Sequence, residues 1–304
     1  MAERSSSEIA QAVFHTILYS DVFDFPVSAP EIHRYLVGIS APYMDVCQTL
    51  NEDSRYVKRG KYFTLIGRED TIRVREEREA YSKKLLPYAM QYGRFIGSLP
   101  FVRMVALTGS LAVMNVSKNA DFDYMLVACP GRLWTARAFV LLFGRLTRLY
   151  GHIICPNLIV IDDTLEWHQR DLYSARELCQ MIPISGLDVY QKLMKANVWV
   201  KDFLPHAYKE SKGSDSKKRT SILQKLIEFP WMGKLGDRFE NWEMNRKIAR
   251  FSKQKGFGEE TIFNATMCQG NFDHHRKWVE KELQLRMNQL KIEAVPTNEG
   301  IGIS

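Results

Sequence analysis

The sequence predicts an α+β protein, and three observations carry that expectation. Apolar runs of strand length at residues 101–107, 122–127 and 152–161 supply a core sheet. Stretches with apolar residues at helical spacing lie before, between and after those runs. A turn-centred pair of short apolar runs at residues 55–66 reads as a hairpin outside the core sheet.

In chain order, residues 8–23 place Ile9, Val13, Ile17 and Leu18 on one helical face, with Ser5, Ser6 and Ser7 as cap candidates. After the break at Asp24, Phe25 and Pro26, Ser28 and Glu31 stand at capping-box spacing and open a second helix over 29–37, ended by Gly38. A third runs from Ser40 through Leu50 with Pro42 in its first turn. Tyr56 and Val57, then Tyr62, Phe63, Leu65 and Ile66, flank the Arg59, Gly60, Lys61 turn. Residues 68–98 form a charged helical connector whose mixed signs suit a solvated face. Residues 132–150 are a strong amphipathic helix, with Arg137, Arg145 and Arg148 largely off its apolar stripe and read as surface residues. Residues 170–207 are helical again, divided at Pro183 and the Ser185-Gly186 turn, with Glu177 on the first helix. Residues 209–220 have linker composition. Residues 222–250 and 274–292 read as helices packed by Trp231, Trp242 and Trp278, before a tail from Glu293. The expected units are therefore 1–67, a connector 68–98, a core 99–165, helices on the core 166–208, a linker 209–220 and a C-terminal helical region 221–304.

Composition narrows the function classes. Five cysteines with no Cys-x-x-Cys spacing argue against a disulfide framework or a zinc site and fit a reducing cytoplasm. No apolar run reaches the length of a membrane span and the first residues lack a signal-peptide core, so the expectation is a cytoplasmic protein with no membrane partner. The net charge of +7 sits mainly in the last third, where 18 Lys and Arg stand against 13 Asp and Glu. A basic region of that kind is compatible with nucleic acid, as it is with solvated basic helices. His274 and His275 are adjacent, so on a helix they point about 100° apart and do not converge on one metal.

The chemistry concentrates in residues 101–127. Asp121 and Asp123 are two apart, so on a strand their carboxylates leave from one face and Phe122 and Tyr124 from the other. Paired oxygen ligands suit Mg²⁺, which binds through one or two carboxylates and substrate phosphates. Gly109 permits close approach of the backbone to a phosphate, and Ser110 can donate to it.

Gly109-Ser110, the gap 111–120 and Asp121-Phe122-Asp123-Tyr124 resemble the signature of the nucleotidyltransferase fold of the DNA polymerase beta superfamily, with Thr108 where an apolar residue is usual. That resemblance implies a nucleotidyltransferase-like mixed sheet with flanking helices. It implies nucleotide binding at Gly109 and Ser110, metal binding at Asp121 and Asp123 (Mg²⁺, or Mn²⁺), and transfer of a nucleoside monophosphate from an NTP to an acceptor that is a small molecule, a protein or RNA. It also implies a third carboxylate on the strand at 152–161. Asn157 occupies that place, and Asp162 and Asp163 at the far end of the strand are the substitutes. A catalytically weak nucleotide-binding sensor is the alternative reading.

Three helices followed by a two-stranded wing resemble a winged helix, and the order of elements over 8–205 is similar to bacterial nucleotidyltransferase-domain proteins carrying such a unit. As a DNA-binding regulator it would use Arg55, Lys58, Arg59 and Lys61 on phosphates, but residues 41–53, which would enter the groove, contain no Lys or Arg.

Overall fold

A computed structural model describes residues 5–118, 121–209, 222–258 and 260–289. Its first helix, α1 (Ser6–Asp21), opens with a reciprocal capping box between Ser5 and Glu8. β1 (Val27–Ser28) leads into α2 (Ala29–Arg34), whose box is Ser28 with Glu31, and Pro42 precedes α3 (Tyr43–Glu52). α2 is shorter than expected because the chain turns inward after Arg34, burying Leu36 and Val37. β2 (Tyr56–Arg59) and β3 (Tyr62–Leu65) form the expected hairpin, and β1 pairs with β3 to make a three-stranded sheet. Ile17, Leu18, Ile32, Leu36, Val46 and Phe63 close this unit's core.

The connector is one helix, α4 (Asp70–Ile96), which passes through Pro87 and delivers the chain to β4 (Val102–Leu107). A single turn, α5 (Gly109–Ala112), precedes β5 (Phe122–Ala128). α6 (Leu133–Arg148) then carries the chain over to β6 (Ile154–Ile161), parallel to β5 as a helical crossover requires. α7 (Leu172–Gln180), β7 (Ile182–Ser185), α8 (Leu187–Ala196) and α9 (Val200–Phe203) follow. Pro183 lies in β7, which forms an outer strand of the sheet, where a missing N–H is tolerated.

The C-terminal region is not wholly helical. Between α10 (Ile222–Glu228), α11 (Lys234–Phe251) and α12 (His275–Gln289) lie two short strands, β8 (Thr261–Phe263) and β9 (Met267–Gly270). They complete a six-stranded mixed sheet in the order β7-β4-β5-β6-β9-β8, with β9 antiparallel to β6. The fold is thus α+β around a mixed sheet. One face packs Phe122, Tyr124 and Leu126 against α4, α6 and α11, and the other packs Met104, Met125 and Val127 against α7, α8 and α9.

Buried acids fasten the C-terminal elements. Glu228 accepts from Phe101 N at 2.6 Å and pairs with Arg103 at 2.9 Å. Glu240 receives the Trp134 and Thr135 amides at the start of α6, at 2.8 and 2.7 Å. Glu260 receives the Arg276 and Lys277 amides at the start of α12, at 3.2 and 2.9 Å. α12 returns to the N-terminal unit, where Met287 enters its core and Arg286 meets Asp21 at 3.1 Å. Trp231 packs against the main core, whereas Trp242 is 56 % exposed, and Arg137 is turned inward over Phe251 at 5.2 Å rather than outward into solvent.

The linker from residue 210 onward and the tail beyond residue 289 lie outside the described residues. Among the described residues no helix is long and apolar enough to cross a membrane.

Candidate functional site

The site forms where β4 ends and β5 begins. Thr108 N donates to the Asp123 carbonyl at 2.9 Å, extending the pairing of the two strands by one residue. The next residue, Gly109, has φ +65°, and a Cβ there would stand 2.4 Å from Asp123 Oδ2. Gly109 is therefore required twice: for a left-handed backbone and for room beside a carboxylate. Asn115 N returns to Ser110 O at 2.8 Å, and Met114 leaves the turn at φ +58°, a conformation few non-glycine residues adopt.

Asp123 lies on the sheet face turned toward α7, as the spacing predicts, with Phe122 and Tyr124 on the other. Asp121 stands just before the strand. In the parallel register Cys155 lies opposite Asp123, and its thiol donates to that carboxylate. Burial, then the Asp123 and Asp121 charges, push the Cys155 thiol up to about 12, so it remains protonated and acts as a donor, not a nucleophile. Burial pushes Asp123 up to about 7, with the thiol opposing and Asp121 adding to the rise. Burial also raises Asp121, against the Arg148 charge.

Asn157 occupies a β-bulge. Pro156 opposes Tyr124 and Leu158 opposes Met125, leaving Asn157 without a counterpart on β5 and directed into the cavity beside Asp123. The structure does not bring Asp162 to this place. Asp162 N bonds Ala128 O at the opposite end of β5. Five residues of strand from Asp123 to Ala128 span roughly 17 Å.

Sequence pattern alone puts Glu177 on a helix with no mark of the site, and the fold brings it there. Asp171 caps α7 by accepting from Ser174 N at 2.7 Å, which sets the helix across the sheet face and directs Glu177 toward Asp123. Burial, and then the Asp123 charge, push the Glu177 carboxyl up to about 7. The signal for it was an acid beside Arg176 inside a run that otherwise buries Ala175, Leu178 and Cys179.

Gly109, Ser110, Asp123, Asn157 and Glu177 line one side of a cavity of about 710 Å³. The N-terminal unit, α4, α7 and α12 form the rest, including Tyr19, Glu31, Arg34, Arg75, Arg176 and Trp278. Acids and guanidinium groups thus line one space large enough for a drug-sized ligand. Among the described residues no group of three or more His, Cys, Asp or Glu is arranged to hold a metal ion.

The two raised carboxyls make a pH prediction. Between the ordinary carboxylate range and about 7 the folded, metal-free protein binds protons that the unfolded chain has released, so this contribution to stability is complete at low pH and lost as pH rises through 7. In chelator, an Asp123→Asn, Glu177→Gln variant is expected to gain in Tm relative to the parent as pH rises from about 5 to about 8. A Tm difference that stays constant over that range contradicts the assignment.

No family model, no curated protein and no solved structure matches the chain.

Proposed function

We propose that the protein is a Mg²⁺-dependent nucleotidyltransferase that moves a nucleoside monophosphate from an NTP to an acceptor. The observation that carries this reading is the seating of Gly109 against the Asp123 carboxylate, at a cavity that Arg34, Arg75 and Arg176 also line. That contact joins the two halves of the motif into one site, and the core sheet and N-terminal helices and hairpin are read accordingly as nucleotidyltransferase-like and winged-helix-like units.

The donor set fits a hard divalent cation. Asp121 and Asp123 are oxygen ligands whose proton affinity is raised by burial, and Asp123 has a thiol rather than a basic group as hydrogen-bond partner. Mg²⁺ held by Asp121 and Asp123 would offset negative charge on the phosphates and on the departing pyrophosphate. Ser110 and the turn backbone would position the triphosphate, since phosphoryl-type transfer depends chiefly on positioning and electrostatic stabilisation. The Asp121→Ala, Asp123→Ala variant is expected to lose Mg²⁺-dependent NTP binding in calorimetry. Binding that persists unchanged would sink the reading.

A second reading has its own observation: Asn157 stands where a third acid is expected, so the same cavity would bind nucleotide without turnover and serve regulation. Labelled NTP with Mg²⁺ separates the two, by pyrophosphate release with an acceptor or by saturable binding alone. For the N-terminal unit, packing and ligand binding are favoured over DNA contact. Arg55 pairs with Asp53 at 2.5 Å, Lys61 reaches Glu79 at 3.4 Å, and Arg34 faces the cavity.

A further inference from the structure

Arg176 is 3 % exposed, and its Nε and Nη2 have no hydrogen-bond partner among the described residues. The guanidinium is held over two rings, at 4.8 Å from the Tyr19 centroid and 4.5 Å from that of Tyr35, and it borders the 710 Å³ cavity. Stacking fixes its plane but leaves its N–H groups unanswered, and a buried cation left so is costly unless an oxyanion completes it.

Two more guanidinium groups border the same cavity. Arg75, 4 % exposed, lies 3.5 Å from the Phe25 centroid and donates from Nη2 to Glu31 Oε1 at 3.0 Å. Arg34 donates from Nη2 to the Cys179 carbonyl at 3.4 Å. Glu31 offsets this wall in part, but its Oε1 is taken by Arg75 and its Oε2 by the Ser28 amide and hydroxyl at 2.8 Å. Arg34, Arg75 and Arg176 meet Glu31, with Glu79 Oε2 a further 3.9 Å from Arg75 Nε, and the positive excess among these groups suits an oxyanion; planar guanidinium groups bind phosphate through paired N–H donors.

We infer that Arg176 on α7, with Arg34 on α2 and Arg75 on α4, forms an anion site in the cavity, and that its ligand is a phosphoryl group. The site stands on its own geometry. Only the source of the phosphate, the terminal group of a bound nucleotide or a phosphorylated acceptor, rests on the reading proposed above.

Calorimetry on the full chain in chelator, with sodium tripolyphosphate and with inorganic phosphate as probes, tests it. The parent is expected to bind tripolyphosphate. Arg176→Met, which keeps length and removes charge, is expected to weaken that binding at least tenfold without lowering Tm, since the desolvation cost of a buried cation is removed while the side chain still packs on the Tyr19 and Tyr35 rings. Arg34→Gln, on an exposed residue, is expected to weaken it several-fold and guards against misfolding of the first variant. With Mg²⁺, loss of ATP but not AMP affinity in Arg176→Met assigns the terminal phosphate. ATP and AMP affinities both unchanged, with inorganic phosphate still binding the ATP-loaded parent but not the variant, assigns a phosphorylated acceptor. Tripolyphosphate binding that is absent from the parent, or equal in parent and both variants, overturns the inference. The Asp121→Ala, Asp123→Ala variant should still bind tripolyphosphate in chelator, so failure of the nucleotidyltransferase reading leaves a separate signature.

Discussion

Gly109→Ala is expected to destabilise the fold by about 2–4 kcal/mol, from a left-handed backbone penalty and local overpacking, and on the proposed nucleotidyltransferase reading to abolish Mg²⁺-dependent NTP binding. The methyl group would lie 2.4 Å from Asp123 Oδ2 and 3.2 Å from its Cβ and Cγ. Asp123 has little room to retreat, because its backbone is paired on both sides, to β4 and to β6. Displacing the carboxylate would take it away from the Cys155 thiol and from its place opposite Glu177. Gly60 provides the control. Its φ is +58° but a Cβ there meets nothing within 4 Å, so Gly60→Ala should show the backbone penalty alone, about 1–2 kcal/mol. Urea unfolding measures both costs, and equal values for the two variants would contradict the contact with Asp123.

Glu240→Ala is expected to cost about 2–5 kcal/mol, because a buried acceptor is removed while its donors stay buried. The Glu240 carboxylate takes the Trp134 amide at 2.8 Å, the Thr135 amide at 2.7 Å and the Thr135 hydroxyl at 2.6 Å. Those amides belong to the first turn of α6, where the helix has no acceptors of its own and its dipole favours negative charge. Trp134 and Thr135 are fully buried, so water does not take the place of the lost acceptor. Glu240→Gln keeps one acceptor oxygen and is expected to fall between parent and alanine variant. A loss below about 1 kcal/mol in denaturant unfolding of Glu240→Ala would show that the cap is replaceable.

What the sequence made legible was local. The cap candidates Ser5 to Ser7, the capping box at Ser28, the hairpin around Gly60 and the strand on which Phe122 and Tyr124 oppose Asp123 depend on residues within a few positions of one another. What it concealed was decided across the chain. Glu177 reaches Asp123 from a helix 54 residues later, and only tertiary packing sets that approach. The segments of β8 and β9 are three and four residues long with no alternation of apolar and polar residues, so their strand character comes from the free edge of β6. Nothing local in the sequence marks Glu228, Glu240 and Glu260, yet each is buried against backbone amides of another element. Asp162 was the converse: acceptable by chain position, and excluded by the length of the strand that separates it from Asp123.

The closure of the sheet by β9 also sets an order of assembly during synthesis. β6 is complete at Ile161, but the strand that covers its edge begins at Met267. At ordinary elongation rates that interval is on the order of ten seconds, during which β6 would be an open edge able to recruit another nascent chain. Pro156, which lacks an N–H to offer, and the kink at Asn157 interrupt that edge in its first half, leaving 158–160 as the segment β9 later pairs with. The bulge that turns Asn157 toward the cavity therefore has a second consequence, in guarding an unfinished sheet against the wrong partner.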